Sequence, residues 1–83
     1  MKDWEIINEM IDEETGSPTC YAKKFDGQFF WVTQFLDGWH AETRDNSRVY
    51  AETRTLKIFK TVKGAMRWVE NNYGSYLYNR KEN

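Results

Sequence analysis

His40 and Cys20 are the single histidine and the single cysteine of this 83-residue chain. A nucleophilic mechanism needs a nucleophile, a base within hydrogen-bond reach and a group that orients the base, so these two residues would have to meet. No local signature draws them together. Paired carboxylates occur only near the N-terminus, where Asp3, Glu5, Glu9, Asp12, Glu13 and Glu14 stand against Lys2 alone within residues 1–16. That segment is too short and too polar to enclose a carboxylic acid. Asp12, Glu13 and Glu14 fall in a tight turn but follow no calcium-loop pattern, and one His with one Cys is too few for a zinc site. No glycine-rich phosphate loop is present. The expectation is a chain without catalytic residues, metal or cofactor.

The residues with more to offer are the aromatics, which make up 17% of the chain, and the cations that follow them. Protein interfaces favour Trp, Tyr, Phe, Met and Arg, and these are more aromatic side chains than one small core readily hides. The expected partner-binding set is Phe30, Trp31 and Trp39, with Arg54, Lys57, Lys60, Lys63 and Arg67 at the rim. This reads as a non-catalytic protein-binding module acting by covering a partner's surface, such as an inhibitor. The alternative is a nucleic-acid-binding domain in which the same aromatics stack bases while Lys23, Lys24 and the 54–67 cations hold phosphates. A formal net charge of −1 weighs against it, because phosphate neutralisation supplies most nucleic-acid affinity.

The elements that must position these residues follow from pattern. So short a chain makes one domain around one core. Asp26-Gly27 and Asp37-Gly38 bracket the run Gln28 to Phe35, and Asp-Gly is a strong hairpin signal. In that run Phe29, Trp31, Thr33 and Phe35 share one face and Gln28, Phe30, Val32 and Gln34 the other, as in a central strand. Strands are also expected over 4–11, Thr19 to Phe25, Trp39 to Thr43, Arg48 to Glu52 and Leu56 to Phe59, with Asp12-Glu-Glu-Thr-Gly16 forming a type I turn and bulge. The period then changes. Thr61 is a good N-cap, Val62, Ala65, Met66, Val69 and Tyr73 recur at helical spacing, and Asn72 and Gly74 read as a stop. Trp68 is expected at the margin of that helix, and Gly64 where the helix nears a strand. The fold class is therefore α+β: an antiparallel meander of four to five strands with one C-terminal helix on one face, residues 1–74 forming the domain and 75–83 a fraying polar tail in which Tyr76 and Tyr78 could dock.

Three further readings complete the expectation. The acidic N-terminal stretch and the basic 54–67 stretch attract and are expected to neighbour one another or to be solvated, the alternative being a basic edge for a polyanion or an acidic partner surface. Ala41-Glu-Thr-Arg44 recurs as Ala51-Glu-Thr-Arg54, which reads as two similar exposed strand segments rather than a repeat unit. A lone cysteine, expected as a small buried strand residue, suits a reducing compartment. No apolar run approaches the roughly 18 residues a membrane span needs, and no leader pattern opens the chain, so a cytoplasmic protein is expected.

Two resemblances accompany these residues. Phe59-Lys-Thr-Val-Lys-Gly-Ala65, entering a helix from a strand after an aromatic meander, resembles the three-stranded-sheet-plus-helix DNA-binding domains of the integrase N-terminal type, which implies nucleic acid as the partner. In size, charge and lack of catalytic groups the chain is similar to the accessory proteins of phages and other mobile elements, including anti-CRISPR proteins, which implies inhibition of a host protein.

Overall fold

The computed structural model describes residues 3–7 and 9–78. Five antiparallel strands, β1 (Glu5–Ile6), β2 (Cys20–Phe25), β3 (Gln28–Phe35), β4 (Gly38–Thr43) and β5 (Arg54–Phe59), lie in one sheet in sequence order. One helix, α1 (Val62–Asn72), follows and continues as a 3₁₀ turn over Tyr73–Tyr76. The fold is the expected α+β meander with a C-terminal helix. Among the described residues no helix is long and apolar enough to cross a membrane.

The turns explain the register. Asp26 and Gly27 both have positive φ, +48° and +85°, the geometry of a two-residue hairpin whose twist matches its strands, and Phe25 pairs with Gln28 across it. In the next hairpin the turn residues are Leu36 and Asp37, and Gly38 is the first residue of β4, paired with Phe35. Gly38 has φ +132°, and a Cβ there would lie 2.5 Å from the Phe59 carbonyl oxygen, so β5 can approach only a glycine. Asp12 caps the first hairpin as expected: its Oδ1 accepts from the Glu14 and Thr15 amides, and Gly16 takes φ +72°.

Register also decides which side of β3 faces the helix. Phe30 and Val32, paired with Thr43 and Ala41 of β4, point toward α1 and join Ala65, Met66 and Val69 in the core. Trp4, just before β1, closes that core, its indole donating to Glu70 at 3.0 Å, while Lys23 reaches the same carboxylate at 3.5 Å. Thr61 caps α1 by accepting from the Gly64 amide at 3.0 Å. Gly64 makes room for that cap, because a Cβ there would meet the Thr61 hydroxyl at 2.9 Å whereas the nearest strand atom, on Phe59, is at an ordinary 3.8 Å.

Several expectations are corrected. The strand expected over 4–11 is two residues long; the Met10 amide turns back onto the Ile7 carbonyl, and only an Ile11–Pro18 bridge resumes the pairing, residue 8 lying outside the described residues. Arg48 to Glu52 is a loop. Turns close from Asp45 to Arg48 and from Arg48 to Ala51, and Val49 and Tyr50 stand in solvent with no apolar surface to cover. Of the two Ala-Glu-Thr-Arg copies, the first has Ala41 and Thr43 fully buried in β4, while the second is loop until Arg54 enters β5. Gly74 does not end the helix in a left-handed conformation, since the Tyr73 amide bonds the Val69 carbonyl and the chain tightens into the 3₁₀ turn. The segment 75–78 is docked rather than frayed. The buried Gln28 amide donates to the Tyr76 carbonyl and the Thr43 hydroxyl, and accepts from the Tyr78 amide. Residues 79–83 lie outside the described residues.

Candidate binding face

The side of the sheet turned away from α1 is built from the other parity of β3. Alternation places Phe29, Trp31, Thr33 and Phe35 there, and pairing brings up Cys20, Ala22 and Lys24 from β2 and His40 and Glu42 from β4. Phe29 and Trp31 stack with ring centroids 6.0 Å apart, and the Lys24 ammonium sits 5.5 Å from the Phe29 ring. Phe35 covers the His40 ring at 4.3 Å. Among the described residues no helix lies over this face. Phe29 is 42% exposed, Phe35 48% and Ile58 45%, a grouping of large apolar side chains on one surface.

A groove of about 270 Å³ crosses this face, with Ile7, Met10, Cys20, Trp31, Phe35 and Glu42 among its walls. A second concavity, lined by Asp12, Gln34, Phe35 and Leu36, shares Phe35 with it. Cys20 is buried in the groove wall with Sγ 3.2 Å from the Thr33 hydroxyl, and burial pushes its thiol up, with the nearby Glu42 charge adding to the rise. A thiol held protonated is a poor nucleophile.

His40 is engaged on both ring nitrogens, with Asp37 Oδ1 at 2.6 Å from Nε2 and Thr55 Oγ1 at 2.9 Å from Nδ1. An ionised carboxylate can only accept, so Nε2 carries a proton; in the neutral ring the Thr55 hydroxyl then donates to Nδ1, and in the imidazolium Nδ1 donates to it. The hydrogen bond from His40 holds the Asp37 carboxyl below the usual carboxylate range. This chain of groups ties the β3–β4 turn to β5. It is absent from the expectation above, although an aspartate three residues before a histidine across a hairpin turn was its signal.

The expected site residues do not form one surface. Phe30 has no accessible surface: it sits beneath α1, 5.7 Å from the Phe25 ring and 6.3 Å from Tyr73, and is corrected to a core residue. Trp31 lines the groove. Trp39 is on the opposite side of the sheet, packed against Tyr21 at 6.2 Å. Arg54 and Lys57 also belong to the helix side; Arg54 donates to the Tyr78 hydroxyl, and the Lys57 ammonium lies 5.7 Å from the Phe59 ring and 5.9 Å from Trp68. Lys60, Lys63 and Arg67 are exposed at the strand-to-helix junction and along α1. The rim cations therefore do not surround the exposed aromatics. The acidic and basic stretches come together where Trp4 and Lys63 line one hollow with Met66, but among the described residues no ion pair joins them.

Among the described residues no three His, Cys, Asp or Glu side chains gather as a metal-binding group. Comparison of the chain with protein-family models, with curated proteins and with solved structures returned no match.

Proposed function

We propose that this chain is a non-catalytic protein-binding module whose docking surface is the sheet face opposite α1. One observation carries the reading: Phe29, Phe35 and Ile58 are each more than two-fifths exposed on a face that also holds Trp31 and a groove. Scattered apolar residues on a surface are ordinary, but a grouped patch centred on aromatics is what a partner buries. Covering a functional surface of that partner is the simplest act open to so small a domain, which is the inhibitor role of a phage or mobile-element accessory protein. Affinity capture from the native host with the wild-type chain and with Phe29→Ser tests the reading. The variant should lose the captured protein while keeping its thermal midpoint; a variant that fails to fold would return Phe29 to the core.

A second reading rests on the exposed cations Lys60, Lys63 and Arg67, of which Lys63 and Arg67 stand one helical turn apart. They form a basic margin on the helix side that suits a polyanion. Phosphate contacts are strong at about 50 mM salt, so absence of DNA and RNA binding under that condition eliminates this reading.

A further inference from the structure

We infer that the groove on the open sheet face receives a cationic side chain, an arginine or lysine, from the bound protein segment, with Glu42 taking its charge and the Trp31 and Phe35 rings its stem. This rests on the sheet face being the docking surface and names the chemistry of what docks there. Among the described residues Glu42 is the only carboxylate lining the groove, and no lysine or arginine among them lines it. The carboxylate is half-buried and makes no hydrogen bond or ion pair among the described residues. Its nearest cation in sequence, Arg44, lies outside the groove lining and does not pair with it. A carboxylate partly withdrawn from water without a partner is costly, and an incoming cation removes that cost.

The walls suit the same guest. Trp31 and Phe35 offer aromatic faces to a guanidinium or ammonium, and Ile7 and Met10 offer apolar surface to its methylene stem. At about 270 Å³ the groove is slightly below the range in which small-molecule pockets begin and is of a size for one side chain. Beyond Phe35 the adjoining concavity carries Asp12, and Glu13 and Glu14 stand exposed on the same hairpin turn. A basic segment leaving the groove past Phe35 would meet negative charge there, and such complementarity speeds encounter and fixes direction.

The test is a titration of the full chain, followed by two-dimensional amide NMR, with the peptide acetyl-Gly-Ala-Arg-Ala-Gly-amide and its citrulline counterpart, which keeps the shape and loses the charge. The arginine peptide should shift the Trp31 indole and the Thr33 and Glu42 amides with millimolar affinity, the citrulline peptide should not, and Glu42→Gln should weaken the arginine peptide about tenfold. The amide spectrum itself reports whether that variant is folded. Equal binding of the two peptides, no effect of Glu42→Gln, or shifts located elsewhere would overturn the inference. A captured partner lost by Phe29→Ser but kept by Glu42→Gln would leave the docking face standing and remove the cation from it. A partner lost by neither would remove the face.

Discussion

Phe30 and Trp31 are consecutive in β3 and lie on opposite sides of the sheet, Phe30 without accessible surface beneath α1 and Trp31 in the wall of an open groove. The alternation of a strand turns one aromatic pair into a core residue and a binding residue. Phe30→Ala should therefore cost about 3–5 kcal/mol, as for other fully buried phenylalanines, and leave little of so small a domain folded in urea titration. A loss below about 1 kcal/mol would mean the core does not close over Phe30.

Gly38 and Gly16 separate two reasons for a glycine. Gly16 has φ +72° with nothing within 4 Å of where a Cβ would stand, whereas Gly38 adds backbone contact with Phe59 to its φ of +132°. Gly16→Ala should cost roughly 1–2 kcal/mol from conformation alone. Gly38→Ala should cost at least about 1 kcal/mol more, because β5 must move away. Chemical denaturation of the two variants side by side reads the difference.

How much of this was legible in the sequence divides along the same line. The bounds of β3, the Asp26-Gly27 and Asp12 to Gly16 turns and the Thr61 cap were legible because they depend on residues within a few positions of one another. Which parity of β3 meets the helix was not, since it depends on Trp4, α1 and β4 arriving on one side together. The candidate residues are divided between two surfaces for that reason: Phe30, Trp31 and Trp39 are close in sequence, yet of the three only Trp31 reaches the open face. Arg48 to Glu52 had strand composition, but its apolar residues found nothing to cover. Gln28 read as one more polar strand residue because its partners, Tyr76 and Tyr78, are 48 and 50 positions away.

Gln28 supplies a third prediction. Gln28→Leu preserves bulk but leaves the Tyr78 amide and the Tyr76 carbonyl without their partner, which should cost about 1–3 kcal/mol. Hydrogen exchange should show the Tyr78 amide losing protection first. Unchanged protection there would mean that Leu77 and its neighbours hold the C-terminal segment without Gln28.

The Asp37–His40 pair has a pH signature. The Asp37 carboxyl is lowered by the His40 hydrogen bond, and Asp45 is likewise lowered by Ser47. A group whose folded value is depressed contributes stability that is present above its unfolded value, near about 3.9, and is lost as pH falls through the folded value. Thermal midpoints of the wild type should fall as pH drops below about 4, and Asp37→Asn should flatten part of that slope while leaving the Asp45 contribution in place. Identical slopes would show that the Asp37 interaction is equally strong in the unfolded chain.

The central claim, that the open face rather than the helix side meets the partner, is tested most directly by exchanging damage between the two. Phe29→Ser with Phe35→Ser alters only the open face, and Lys60→Glu with Arg67→Glu alters only the basic margin of the helix side. With both double variants folded, capture from the native host should lose the partner in the first and retain it in the second. Retention in the first and loss in the second would contradict the account and move the site to the helix side.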